Sequence, residues 1–154
     1  MSGRMVMRIS AKGRYAIAAT ISMAQEYEKR ECITVIKLSE KLNISKIYLE
    51  QVFSLLKRED IVISTKGPQG GYHLTRKPNL ITVFEILKAV ETSLFEKAGE
   101  SVLERAPGIE KAMNIVVFEQ LDNVIIDFLS SISLADLVSE AAKHAGNENH
   151  MFYI

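Results

Sequence analysis

Hydrophobic residues recur at helical spacing in the first segment of the chain. After Ser10, which is suited to cap a helix N-terminus, the apolar positions are Ala16, Ile17, Ala19, Ile21, Met23, Ala24 and Tyr27. Thr20 falls within this apolar face, where its hydroxyl can bond back to the carbonyl of Ala16. The pattern predicts one helix, which ends before the charged residues "EKREC".

Two shorter helical patterns follow, with only Asn43, Ile44 and Ser45 between them. Val35, Leu38 and Leu42 mark the first pattern, and Asn43 tolerates the left-handed geometry that ends a helix. Ser45 can cap the second, whose buried side is predicted to comprise Tyr48, Leu49, Val52, Phe53, Leu55 and Leu56. Two short helices with so short a connection predict a helix-turn-helix.

A β-hairpin is predicted directly after the second of these helices. Ile61 to Thr65 and Tyr72 to Thr75 carry strand-forming residues, and the loop "KGPQGG" lies between them. A hairpin at this place is the wing of a winged helix. The loop lacks the spacing GxxxxGK[ST] and does not open a helix, which excludes a phosphate-binding loop for nucleotides.

After the wing, Thr82 can cap a short helix that turns Val83, Ile86, Leu87 and Val90 inward, and residues 92–108 are predicted to be a linker. Ile109 to Ser131 then has the pattern of one long helix with an unusually wide apolar side. This side comprises Met113, Val116, Val117, Leu121, Val124, Ile125 and Phe128. One small domain cannot cover such a helix, so we predict that it packs against its twin in a second subunit. The alternative is a core helix within one chain.

The predicted fold class is therefore mainly α with a small β-hairpin wing. A winged helix-turn-helix domain covers residues 7–91, a linker 92–108, a dimerisation helix with a short closing helix 109–145, and a tail 146–154. Met7 is an alternative natural first residue, and the sequence leaves open whether Met1 to Val6 is native.

Composition and charge change this picture in two ways. The single cysteine excludes an internal disulfide framework, and no apolar run approaches the roughly 18 residues that span a membrane. The N-terminus lacks the apolar core of a signal peptide, so we expect a cytoplasmic protein with no membrane partner.

Residues 1–80 hold 14 Lys and Arg against 7 Asp and Glu, whereas residues 81–154 hold 5 against 12. The basic first half is suited to a polyanion such as double-stranded DNA.

Candidate DNA-contacting residues follow from this arrangement, because a helix in the major groove reads bases with its first turns while phosphates fix its register. The exposed start of the second helix includes Ile47; Gln51 could pair with adenine and Glu50 with the cytosine amino group. The predicted contacts are Lys12, Arg14, Ser45, Lys46, Tyr48, Glu50, Gln51, Lys66, Gly67, Gly70 and Gly71. Each also has an ordinary structural interpretation: solvated helix surface for Lys46 and Glu50, core for Tyr48, and turn residue for Lys66.

The sequence resembles the Rrf2 family of bacterial winged-helix regulators. The matching segments are "MRISAKGRYAI", "ISKIYLEQVFSLLKRED", "KGPQGGYHL" and "ITVFEILKAVE", which are spread over residues 7–91. A weaker similarity continues through "FLSSISLADLV". The resemblance implies a homodimer that is joined by the long helix and binds a two-fold-related DNA site, as a repressor.

Many members of that family hold an iron–sulfur cluster on three cysteines before the long helix. In this chain, residues 92–114 contain no cysteine, histidine or aspartate, and glutamates are poor ligands for such a cluster. We therefore expect no cofactor. The arginine that is frequent in the wing is replaced by Lys66, which loses bidentate capacity. The segments "CITVIKLSEKLNIS" and "MFYI" resemble most the cluster-free, CymR-like branch that represses cysteine metabolism, which implies a cysteine-biosynthesis enzyme as partner.

Cys32 has two interpretations that the sequence leaves open. Lys29 and Arg30 are close in sequence and would favour the oxidisable thiolate, which makes Cys32 a candidate redox sensor. Alternatively, "CITV" forms a small strand and the thiol is only a half-buried apolar group. His73, His144 and His150 lack metal-ligand spacing, so no metal site is predicted.

No Ser/His/Asp grouping, metal set or nucleotide loop is present, so an enzyme is not expected. The remaining alternative to a DNA-binding regulator is a protein-interaction adaptor that keeps the winged fold without binding DNA.

Overall fold

The computed structural model describes residues 9–96 and 98–151. Its helices are α1 (Ala11–Gln25), α2 (Val35–Leu42), α3 (Lys46–Arg58), α4 (Val83–Val90), α5 (Pro107–Met113), α6 (Glu119–Ser130) and α7 (Leu134–Met151), and its strands are β1 (Val62–Thr65) and β2 (Gly71–Leu74). This is the mainly helical fold with a small hairpin that the sequence predicts. Met1 to Val6, Met7 and the last three residues of "MFYI" lie outside the described residues.

Local capping groups set the starts of the helices in the winged domain. Ser10, Thr34, Ser45 and Thr82 each accept a bond from a backbone N–H in the first turn of the helix that follows. At α4 the cap is reciprocal, because Glu85 also accepts from the backbone N–H of Thr82. The predicted caps at Ser10, Ser45 and Thr82 are confirmed.

The turn of the helix-turn-helix also follows the sequence prediction. Asn43 ends α2 in the left-handed region, with φ 53° and ψ 46°. The hydroxyl of Ser39 donates to the carbonyl of Ile44 at 2.6 Å and so fixes the turn from inside α2. Ile44 itself is buried, which anchors the connection to the core.

The wing is a two-stranded antiparallel hairpin in which Val62 pairs with Leu74 and Thr65 with Gly71. β1 begins one residue later than predicted and ends at Thr65 as predicted, whereas β2 lies one residue earlier than predicted at both ends. On the other side of β2, the backbones of Ile33 and Tyr72 exchange two bonds of 2.8 Å. The predicted strand at "CITV" is thus a single bridge at Ile33, and it attaches the wing to the segment before α2.

The core lies where α1, α3 and α4 pack together with the base of the wing. Phe53, Leu49 and Leu56 of α3 are fully buried. The ring of Phe53 lies 4.7 Å from the ring of Tyr72 in β2, so the same helix supports the wing. The predicted bond from Thr20 to the carbonyl of Ala16 is present at 2.8 Å.

Residues 107–130, named here the long helix, run through α5 and α6 without leaving helical backbone angles. Asn114–Phe118 between them is a π-helical turn, which the sequence did not predict. The helix begins at Pro107, two residues earlier than predicted, because proline is well tolerated in the first turn of a helix. The described residues before it, 92–96 and 98–106, are irregular apart from turns.

The chain returns from the long helix to the winged domain. Val83 donates to the carbonyl of Ile132 and Leu134 donates to that of Ile81, both at 2.9 Å, and Leu134 is fully buried. The predicted closing helix is present as α7, but it is longer than expected: it continues past residue 145, where the tail was predicted to begin, as far as Met151. No proline interrupts this segment, and a single Gly146 costs only about 1 kcal/mol.

Candidate nucleic-acid interface

The first two turns of α3 present a polar surface on a rigid support. Leu49, Val52 and Phe53 are buried, so the opposite side of the helix faces outward. The predicted contact residues Ser45, Lys46, Glu50 and Gln51 are all exposed there. The hydroxyl of Ser45 also caps the helix by accepting from Tyr48 N at 3.4 Å.

Two of the predicted contact residues pair with each other in the free protein. Lys46 Nζ lies 3.7 Å from Glu50 Oε1, and both side chains are about half exposed. Such an exposed pair contributes little stability, so either group can exchange its partner for a DNA group. Gln51 is exposed beside this pair.

Tyr48 joins the start of α3 to the start of α1. Its ring packs edge-on against Tyr15, with the ring centroids 5.1 Å apart, and it is half-buried. The predicted contact residue Arg14 immediately precedes Tyr15 and is exposed. The structure therefore brings the first turns of α1 and α3 together on one side of the domain, and Tyr48 is largely a packing residue.

The start of α1 is held in place by a carboxylate from the end of α4. Glu91 accepts from the backbone N–H of Ser10 at 3.0 Å and from its hydroxyl, and only 9% of Glu91 is exposed. Gly13 lies directly beneath, and a Cβ atom there would overlap Glu91 Oε1. Because Gly13 separates Lys12 from Arg14, this close approach fixes the backbone that carries both cations. No local sequence pattern indicates this interaction, since Ser10 and Glu91 are 81 positions apart.

The tip of the wing projects away from the core. Lys66 and Gly67 are exposed, and Gly67 has φ 108°, which side chains rarely adopt. Gly71 also has a positive φ, 147°, and in addition a Cβ atom there would lie 2.7 Å from the carbonyl oxygen of Ile33. Gly70 is similarly crowded by the backbone of Thr65. Folding alone thus accounts for Gly70 and Gly71, whereas Lys66 and Gly67 are available to a partner.

An ion pair connects the end of the wing to α4. Arg76 donates to Glu85 Oε1 at 2.9 Å and to the carbonyl of Leu80 at 2.9 Å. Partial burial raises the pKa of Glu85, but the bonds from the Thr82 backbone and from Arg76 outweigh it and leave the pKa below its ordinary value of 4.5. Arg76 is consequently engaged within the fold.

The apolar side of the long helix is exposed in the single chain. Val116, Val124 and Phe128 are 70%, 64% and 63% exposed, and Val117 and Leu121 are also exposed. Met113 and Ile125 are only partly covered. The alternative of a core helix within one chain is therefore wrong for these residues. An exposed apolar surface of this extent indicates an interaction site.

Cys32 lies at the edge of an open cleft of about 920 Å³ between the end of α1, the wing and α7. Its Sγ atom is 3.6 Å from Nδ1 of His73, which belongs to β2. The thiol is only partly buried. An oxidant could therefore reach a group that contacts the wing directly.

The donor set of the chain does not fit an iron–sulfur cluster. Such clusters are held mainly by several thiolates, and the sequence contains one cysteine. Among residues 9–96 and 98–151, no three His, Cys, Asp or Glu side chains come close enough to hold a metal ion. Glu110, at the start of the long helix, is instead buried and accepts from the backbone N–H groups of Ser101 and Val102 at 3.1 and 2.9 Å. No helix in the part of the chain that the structure describes could cross a membrane.

Comparison with known proteins identifies relatives across nearly the whole chain. The family model Rrf2, described as "Iron-dependent Transcriptional regulator", matches residues 9–140. The regulator IscR of Sodalis glossinidius is 36% identical over 133 residues, which cover 86% of this chain and 79% of that protein. IscR of Photorhabdus laumondii is 34% identical over 94% of this chain and 88% of its own length.

Solved structures give the same assignment of the fold. IscR of T. potens matches with a TM-score of 0.69 and 32% identity over 90% of this chain and 91% of its own. CymR of B. subtilis, called the global cysteine regulator, matches with a TM-score of 0.68 and 27% identity over 88% and 98%. The oxidised form of Staphylococcus aureus CymR matches with a TM-score of 0.64 and 29% identity over 86% and 96%. Similarity thus extends to both named regulators, and it does not single out the CymR-like branch.

Proposed function

The chain belongs to the Rrf2 family of DNA-binding transcriptional regulators, and on this premise we propose that it is a repressor that binds a two-fold-related operator as a homodimer. The observation that carries the proposal is the exposed first turn of α3, which a buried core holds next to the cationic start of α1. The relatives are regulators and not enzymes, in agreement with the absence of catalytic motifs.

Each predicted contact has a distinct role in this proposal. Glu50 and Gln51 of α3 face base edges in the major groove, where Gln pairs with adenine and Glu with the cytosine amino group. Lys12 and Arg14 of α1 neutralise phosphates on one side, and Lys66 reaches the backbone or the minor groove from the wing. Ser45, Tyr48, Gly70 and Gly71 position these groups, whereas Lys46 and Gly67 are exposed and can contact the duplex themselves.

The homodimer part of the proposal is supported by the exposed apolar side of the long helix. A second copy of the chain offers the same surface, and a two-fold arrangement would bury both at once. Two copies would also place two α3 helices on one duplex, which matches the symmetry of a two-fold DNA site.

We propose that this regulator works without an iron–sulfur cluster. The one cysteine cannot supply the thiolates, and the carboxylate of Glu110 already organises the segment before the long helix. A role in cysteine or sulfur metabolism, with a cysteine-biosynthesis enzyme as partner, is the finer form of the proposal. It is supported by the cluster-free donor set and by the structural similarity to CymR. The regulator would act in the cytoplasm, where bacterial DNA is located.

Redox control through Cys32 is a second candidate function. The contact between Cys32 Sγ and His73 Nδ1 favours it, because a change at the thiol would be felt in β2 of the wing. Oxidation to sulfenic acid adds one polar oxygen at this contact. A Cys32→Ser variant would then keep its DNA affinity in the presence of hydrogen peroxide, whereas the wild type would lose it.

The test of DNA binding is selection from randomised duplexes by the purified chain. We expect an enriched sequence with two-fold symmetry. Lys66→Ala should then weaken binding to all duplexes and lower the slope of the salt dependence by about one unit for each phosphate that is no longer neutralised. Gln51→Ala should relax preference at one base pair in each half-site. A protein-interaction adaptor would enrich no sequence and would show no salt-sensitive binding to mixed genomic fragments.

A further inference from the structure

Ile47 is an isoleucine in the first turn of α3 whose side chain is 70% exposed. Among the described residues of the winged domain, 9–91, no other large apolar side chain reaches this value. The other exposed ones are Ile36, Ile63 and Leu80, at 42–55%. Ile47 is therefore an apolar group that the fold of one chain leaves in solvent.

The position of Ile47 places it within the surface that faces DNA in the proposed function. Residues three and four positions apart share a helix face, so Ile47 is the neighbour of Glu50 and Gln51. Leu49 and Val52 lie on the other side, in the core. Ile47 is also distant in sequence from the long helix, whose apolar side is explained by a second copy of the chain.

Helix stability does not explain an isoleucine at this position. β-branched residues are weaker helix formers than alanine, leucine or lysine, and an exposed side chain adds little packing. Ser45 and the Lys46–Glu50 pair already stabilise the first turn. Single exposed apolar residues are common on protein surfaces, so the exposure of Ile47 is informative because of its place among the residues that face DNA in the proposed function.

The major groove presents one apolar group, the C5-methyl of thymine. We propose that Ile47 determines specificity by contacting a thymine methyl in each half-site, next to the bases that Glu50 and Gln51 read. This inference rests on the proposed function. Ile47 thereby adds an apolar contact to the base contacts that Glu50 and Gln51 make through hydrogen bonds from the same helix.

Deoxyuridine tests the inference directly, because it lacks the C5-methyl of thymine and keeps every hydrogen-bonding group. The probe is a duplex selected by the full-length wild type, with deoxyuridine placed at symmetric thymine positions one pair at a time. We expect one pair to lower affinity by about fourfold per half-site and about fifteenfold in total, the effect of a buried methyl-sized group.

Ile47→Ala should bind the thymine duplex with that same reduction in affinity and should not distinguish it from the deoxyuridine duplex. The matched control is Ile36→Ala, which removes an exposed isoleucine from α2 and should keep the sensitivity of the wild type. If the wild type ignores every deoxyuridine, or if Ile47→Ala keeps the sensitivity, the inference is wrong while the proposed function stands. If no duplex is enriched, both fail.

Discussion

Gly13 tests how the start of α1 is held against α4. In Gly13→Ala, the new Cβ atom would overlap Glu91 Oε1 and would lie 2.9 Å from Ile9 Cγ2 and 3.1 Å from Leu87 Cδ2. A Cβ atom does not tolerate neighbours closer than 3.0 Å, so the Glu91 carboxylate must shift. Because Glu91 is only 9% exposed and has little room, we expect the shift to break its bonds to Ser10. We therefore expect this variant to be less stable than the wild type, although alanine is the better helix former.

The magnitude follows from the hydrogen bonds that this movement breaks. Glu91 accepts two bonds from Ser10, and bonds to a charged group contribute about 1.5–3 kcal/mol each. The helix propensity of alanine returns at most about 1 kcal/mol. The free energy of unfolding should fall by about 2–5 kcal/mol.

The assay is urea unfolding at one fixed protein concentration, because the stability of a dimer depends on concentration. Gly108→Ala is the matched control: it also lies in a helix, and its Cβ atom would meet nothing within 4 Å. This control should be as stable as the wild type or up to about 1 kcal/mol more stable.

A double-mutant cycle isolates the contact between the two residues. In a Glu91→Ala background the carboxylate is absent, so Gly13→Ala should cost at least about 2 kcal/mol less than it does in the wild type. Equal stability of Gly13→Ala and Gly108→Ala, or strict additivity in the cycle, would refute this explanation of Gly13.

Three further predictions concern other contacts. Glu110→Ala should increase proteolysis between residues 98 and 106, measured by mass spectrometry, because two backbone N–H groups lose their acceptor. Glu85→Gln should be less stable than the wild type at neutral pH, as measured by urea unfolding. The difference should disappear as the pH falls below about 4.5, because a carboxylate whose pKa is lowered by folding stabilises the folded state only at pH values above its pKa in the unfolded chain. Val124→Glu should shift sedimentation toward single chains without unfolding them, because Val124 is 64% exposed in one chain.

Local signals made much of the fold predictable. The capping side chains of Ser10, Ser45 and Thr82 each accept a bond from a backbone N–H only three residues further along the chain. The hairpin is marked by the glycines of its own loop. The exposed residues of α3 are likewise identified by the apolar spacing of that helix. These parts needed no knowledge of distant segments.

Contacts between distant segments were not predictable from the same patterns. Nothing near Gly13 in the sequence indicates that Glu91 will lie over it, and nothing near Glu110 distinguishes it from the other glutamates of residues 92–114. The length of α7 was underestimated because its last residues lack an apolar period, although they contain no proline. Interactions between side chains far apart in sequence decide such features.

The most direct test of the proposed function is the mass of the complex between the purified chain and a duplex that it has selected, combined with the salt dependence of binding. We predict two chains per duplex and an affinity that falls steeply with rising salt, since several lysines and arginines displace counterions. A protein that stays a single chain at micromolar concentration and shows no salt-sensitive affinity for any duplex would contradict it.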